Sequence, residues 1–231
     1  MNRLGMAVRD YTANITQWGL WYLPIFALVY MILNIFISEP EFNRMSFMAM
    51  ALPANRIFMM IVGILASYVF LEWSVNLGLT RKIFFKGMFA AGAAVIIILS
   101  VLSFVISFVL GLMPWFGSSL SASWEGLGTA PYVTGHLLTT YLYFISGLLI
   151  SAGFHRAFLP GMGMILLSII MIGTGDFIWG LNDSGGVVIF LGFEGLTDIN
   201  IGILVMITLI LIGIGMMIFR ALIRQAPINV K

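Results

Sequence analysis

The stretch INIGILVMITLILIGIGMMIF, residues 199–219, runs for 21 residues without a charge. At 1.5 Å per residue its helix matches the hydrocarbon core of a bilayer, roughly 30 Å thick, so it reads as a transmembrane helix. The rest of the chain has the same character. Of 231 residues, 61% are hydrophobic and 9% charged, where a soluble domain has roughly 45–50% and 25%. Five more spans follow from the apolar runs at about 18–38, 57–77, 87–113, 134–154 and 158–175. The second contains Glu72 and is expected to end near water; the fourth, with His136, Tyr141 and Tyr143, is the least hydrophobic. Six helices of about 20 residues leave no room for a separate soluble domain. The expectation is an all-α membrane protein with six transmembrane helices forming one domain over 1–231.

Ahead of the first span, Met1, Leu4, Val8, Tyr11 and Ile15 recur at spacings of three and four, with Asn2, Arg3, Arg9, Asp10 and Asn14 mostly elsewhere on the wheel. That pattern predicts an N-terminal interfacial helix over 1–15, lying in the membrane surface. Asp10 interrupts the approach to the apolar run, which ends at Ser38-Glu39-Pro40 without a cleavage-type site. The segment is therefore expected to be retained.

Orientation follows from Lys and Arg. With both termini cytoplasmic, nine basic residues lie inside: Arg3, Arg9, Arg81, Lys82, Lys86, Arg156, Arg220, Arg224 and Lys231. Only Arg44 and Arg56 are left outside, two against nine. Glu39, Glu41, Glu125, Asp183, Glu194 and Asp198 fall in the outer loops, in agreement. The chain is expected to be a multi-pass protein of the cell membrane. Two outer segments exceed simple turns, 114–133 and 176–200. The second has an apolar centre, Val187 to Leu191, and reads either as a re-entrant segment between helices five and six or as an apolar outer loop. Small residues at Gly87, Ala91 and Val95, and at Gly161, Gly163, Gly173, Gly175, Gly213 and Gly215, suit close helix packing.

Several chemistries are excluded. A net charge of +2 with no basic cluster able to track a phosphate backbone gives no basis for nucleic-acid binding. The absence of cysteine removes disulfides and thiolate sites. There is no G-x-x-x-x-G-K-[ST] loop, so ATP, if used, is bound by another chain. His136 and His155 are 19 residues apart on one span, about 28 Å, too far to share a metal within one chain. His155 beside Arg156 reads as an interface anchor, and His136 as an interfacial histidine satisfied by water or headgroups, with a proton-sensitive gate as the alternative. Gly173-Thr174-Gly175-Asp176 resembles the G-x-G-D element of intramembrane aspartyl proteases. That chemistry needs a second aspartate. The only upstream one is Asp10, and Asp176 is expected at the outer edge of its span. No catalytic residue, cofactor or metal is expected.

The remaining feature is a compact charged unit, Glu72-Trp73-Ser74-Val75-Asn76-Leu77-Gly78-Leu79-Thr80-Arg81-Lys82-Ile83-Phe84-Phe85-Lys86-Gly87. Gly78 can end one helix, and Arg81, Lys82 and Lys86 open the next segment among aromatics as an amphipathic elbow. Read from composition, this is positive-inside anchoring. The same stretch resembles the ABC-2 class of ABC exporter permeases, which commonly carry an acidic residue ending the second span, a Gly, an x-[ST]-Arg-Lys element and a Phe-Phe-Lys-Gly-like start to the third. The wider layout, with an N-terminal interfacial helix, six spans, cytoplasmic termini and an enlarged apolar outer segment, is similar too. The resemblance covers about sixteen positions at residue level, and this chain lacks a large extracellular domain. It implies coupling to an ATPase partner through Glu72, Asn76, Gly78, Thr80, Arg81, Lys82 and Lys86. It also implies a cytoplasmic ABC ATPase subunit, a second membrane subunit, and export of a hydrophobic or amphipathic substrate such as a peptide, drug or lipid. The alternative is a non-transporting membrane immunity or sensor protein that binds a peptide or partner through its outer loops.

Overall fold

The computed structural model describes residues 3–37, 46–113, 129–179 and 200–224. These form six helices: α1 (Arg3–Phe36), α2 (Phe47–Asn76), α3 (Arg81–Gly111), α4 (Thr129–Arg156), α5 (Phe158–Ile178) and α6 (Ile201–Arg224). All six are long and apolar enough to cross a bilayer, and the chain is a multi-pass membrane protein. The starts of α1, α3 and α5 lie at the same end of the bundle as the last turns of α2, α4 and α6. This basic end carries Arg3, Arg9, Arg81, Lys82, Lys86, Arg156, Arg220 and Arg224. Trp21, Leu159 and Met217, 71–80% exposed, belong to the apolar belt that lipid would cover.

Residues 3–15 are not a separate helix. From Arg3 to Phe36 the helix is continuous for 34 residues, about 51 Å of rise. Asp10 to Gln17 contain no Gly or Pro to break it, and Asn14 Nδ2 donates back to the Asp10 carbonyl at 2.8 Å, inside the same helix. The apolar face read as lipid-seeking is covered by protein instead. Ala7, Tyr11, Ile15, Gly19, Leu23 and Ala27 are buried at intervals of four. Each interval overshoots the 3.6-residue turn by about 40°, so the stripe winds around α1. Its neighbours change accordingly. Tyr11 packs against Phe70, Trp73 and Phe84 at the basic end, and Tyr30 against Phe47 at the far end. The Ser74 hydroxyl donates to the Phe70 carbonyl, leaving its oxygen to accept from Tyr11 OH at 2.5 Å.

The second span begins ten residues before the expected 57. Ser46 caps it, its hydroxyl accepting from Ala49 N at 3.2 Å, while Ser107 of α3 accepts from Met48 N at 3.3 Å. Pro53 lies inside this helix without ending it; freed backbone groups of this kind are tolerated where neighbouring helices cover them. The other boundaries move less, with α3 starting at Arg81 instead of 87 and α6 ending at Arg224 instead of 219. A single extended residue, Ala157, joins α4 to α5.

The least hydrophobic span is the central one. α4 packs against α2, α3, α5 and α6, and it buries Thr139, Thr140, Ser146 and Ser151. Its low hydrophobicity is the consequence of facing protein on most sides. At the crossing with α2, Gly63 and Gly147 bring the two backbones together: a Cβ on Gly63 would strike the Phe144 carbonyl, and one on Gly147 the Met60 carbonyl. Of the small residues singled out for packing, Gly87 lies under Tyr11, Gly161 under Phe154 and Gly215 against Ile145. Gly163 and Gly213 have open space where a Cβ would stand. The segment proposed as re-entrant, 176–200, lies outside the described residues apart from its ends, as does most of 114–133.

Candidate functional site

The charged unit at 72–86 forms a tight corner, with no separate surface helix. α2 ends at Asn76, Gly78 takes φ +70, and Thr80 caps α3 by accepting from Ile83 N at 3.3 Å. A left-handed φ favours glycine, which explains the residue type at this helix end. Arg81 then reaches across to the last helix, donating from Nη1 to the Ile223 and Arg224 carbonyls at 2.7 and 2.9 Å. Those two carbonyls are the last described in α6, and the bonds tie that helix to the corner.

The corner separates the predicted residues into two patches. Glu72 and Asn76 are exposed and share a shallow depression of about 430 Å³ with Asn14, Phe70 and Trp73. Lys82 and Lys86 lie on the other side, lining a cavity of about 240 Å³ with Arg81, Arg220 and Arg224. Gly78 and Thr80 shape the chain between them. Arg220 and Arg224 are therefore neighbours of the corner. Sequence spacing alone could not place them there.

A second polar constellation lies in the body of the bundle. Arg56 and Asp176, both at least 97% buried, pair at 3.4 Å across α2 and α5. Tyr143 of α4 donates its hydroxyl to the other Asp176 oxygen at 2.6 Å. Thr140 Oγ1 and His136 Nε2, also on α4, are 3.3 Å apart, and Asn55 beside Arg56 donates to Ser103 of α3 at 3.0 Å. His136 is thus enclosed by protein, correcting the expectation of an interfacial, headgroup-facing histidine; the central position of α4 is the reason. The His155 ring packs tilted against Tyr68 near the basic end, with centroids 4.2 Å apart.

Arg56 was expected in an outer loop, and the structure corrects that as well. Its sequence signal was present: Asn55 and Arg56 are an isolated polar pair in an otherwise apolar run from Phe47 to Ala66. Depth supplies the rest. Arg56 is 20 residues from the basic end of α2 and Asp176 is 18 from that of α5, about 30 and 27 Å of rise, so the opposite charges stand level. Asp176 is close to the end of its own helix, as expected, but α2 and α4 extend past it and shut it in. Its polar partners among the described residues are an arginine and a tyrosine, where a proteolytic dyad would require a second carboxyl. No group of three metal-ligating side chains occurs among the described residues.

No protein family, curated protein or solved structure matches the chain.

Proposed function

We propose that this chain is the membrane subunit of an ATP-driven exporter of the ABC-2 class. On this reading it pairs with a second membrane subunit, and the basic end faces the cytoplasm, where a separate ATPase binds nucleotide. The substrate class is a hydrophobic or amphipathic molecule such as a peptide, drug or lipid. One observation supports this reading above others: a single continuous helix, α2, joins the exposed Glu72–Asn76 patch to the buried Arg56–Asp176 pair. A device that couples work at one membrane face to opening at the other needs such an element. Engagement of Glu72, Asn76, Lys82 and Lys86 by an ATPase would move the corner, and Arg81 would carry α6 with it. The ion pair would hold the far end closed until α2 shifts. An apolar outer segment folded back into the membrane between the last two spans would then line the exit.

The test is co-purification from the native membrane. Glu72→Ala and the double change Lys82→Ala/Lys86→Ala leave the Arg81 bonds to α6 intact, and all three side chains are exposed. Truncating one member of a charge pair that is buried in an interface weakens it by about 2–5 kcal/mol, so both variants should lose the ATPase. Arg3→Ala/Arg9→Ala removes the same charge from exposed positions that line neither patch and should retain it. Full ATPase recovery and normal export in both corner variants would reduce the corner to an anchor. A chain that never recovers an ATPase but holds a ligand on its outer side would favour the immunity or sensor alternative.

A further inference from the structure

The cavity between the first turns of α3 and the last turns of α6 concentrates positive charge in a way that membrane orientation does not require. Arg81, Lys82 and Lys86 come from α3, Arg220 and Arg224 from α6, and the apolar wall is Phe85 and Ile223. Neither Asp nor Glu among the described residues lines it. Among the described residues, Lys82, Lys86, Arg220 and Arg224 have no carboxylate partner; the ion pairs there are Arg9–Asp10 and Arg56–Asp176. Lys82 and Lys86 are four residues apart on one helix, and so are Arg220 and Arg224 on the other. Like charges at that spacing are neighbours on a helix surface and repel. Here two such pairs face one cavity, and the Arg81 bonds to the Ile223 and Arg224 carbonyls fix the distance between them. The walls are therefore set before any ligand arrives. Anchoring by the positive-inside rule needs only cations near the span ends, whether or not they share a cavity.

We propose that this cavity binds a phosphate group. Two arginines and two lysines supply charge-assisted donors from both sides, and the guanidinium forks suit phosphate oxygens. The amides opening α3 face the same end and favour an anion. Phe85 and Ile223 give the site an apolar wall where the bundle meets the membrane surface, which suits the glycerol and upper acyl carbons of an anionic phospholipid. A soluble phosphate compound satisfies the same cations. The proposal goes beyond the transport reading and stands if no ATPase ever binds.

The purified full chain, in phosphatidylcholine nanodiscs containing a small fraction of phosphatidylglycerol, provides the test. Native mass spectrometry should find one phosphatidylglycerol per chain, retained in a saturable manner. Lys82→Gln/Lys86→Gln and Arg220→Gln/Arg224→Gln should each weaken retention by more than about tenfold, since each pair removes two cations near the surface. Arg3→Gln/Arg9→Gln, with the same loss of charge, should leave retention unchanged. Thermal midpoints in lipid-free detergent check that the variants fold; if one pair does not, the other still decides. Inorganic phosphate distinguishes the source. Displacement of the lipid at millimolar phosphate, or phosphate binding lost in the same variants without lipid retention, identifies a soluble ligand. Lipid retention indifferent to phosphate identifies the headgroup. Absence of both, or equal loss in the Arg3/Arg9 control, overturns the site and leaves only diffuse anchoring.

Discussion

Removing Arg56 or Asp176 should be far more damaging than removing both. The pair is enclosed by α2, α4 and α5, with at most 3% of either side chain exposed. Breaking a buried pair by deleting one member destabilises by about 3–5 kcal/mol, whereas replacing both members with apolar residues of similar size is often neutral. The two single variants should differ. Arg56→Leu leaves Asp176 with the Tyr143 hydroxyl at 2.6 Å, and a carboxylate can also take up a proton, so the lower figure of about 3 kcal/mol applies. Asp176→Leu leaves an arginine that cannot discharge and whose Nε already meets no hydrogen-bond partner among the described residues. The upper figure of about 5 kcal/mol applies there. Tyr143→Phe removes one hydrogen bond to a charged group, about 1.5–3 kcal/mol. The assay is reversible unfolding in mixed micelles, followed by tryptophan fluorescence, on wild type, both singles and Arg56→Leu/Asp176→Leu. A double variant within about 1 kcal/mol of wild type, with both singles well below it, is the expected pattern. Additive losses would refute the ion pair, and a mild Asp176→Leu would refute the ordering.

Other expectations concern packing and topology. Gly147→Leu should prevent recovery of monodisperse protein on size exclusion, because its side chain meets the α2 backbone, while Gly163→Leu and Gly213→Leu should behave as wild type. Tyr11→Ala should lower stability by about 3 kcal/mol or more, as for a large core residue. Leu20→Ala, on the exposed side of α1, should have little effect; similar small effects at both would restore the interfacial helix. Arg81→Ala should fray the end of α6, seen as faster hydrogen exchange at residues 220–224, and Lys82→Ala should not. From sequence alone, single cysteines at Val188 and Phe190 should react more slowly with an impermeant thiol reagent than one at Asp183. Equal rates would indicate an ordinary outer loop.

The six spans were legible because uncharged runs about as long as a bilayer is thick admit few other readings. The Gly78 turn was legible for a local reason, a glycine between a helix end and a Thr-capped helix start. The errors share one cause. Reading every polar residue as a mark of water fails where Arg56 finds Asp176 and where the hydroxyls of α4 face other helices. In a polytopic bundle a polar side chain can as well mark the protein interior, and only the pairing of helices decides which. The gathering of Arg220 and Arg224 with Lys82 and Lys86 was hidden for the same reason, since about 140 residues separate the two groups in the chain.

The contact between Gly63 and Gly147 gives α2 the mechanics of a lever. With backbone against backbone there is no side chain to yield at that point, so the helix can tilt about it more readily than slide through it. Glu72 lies nine residues to one side of this fulcrum and Arg56 seven to the other, arms of about 14 and 10 Å. A sideways push of about 2 Å at Glu72 would therefore swing Arg56 the opposite way by about 1.5 Å. An ion pair already at 3.4 Å would lose contact at that displacement. The ratio of the arms fixes how far the corner must move before the far end lets go, and moving the glycine contact by one turn along α2 would change that threshold without touching either charge.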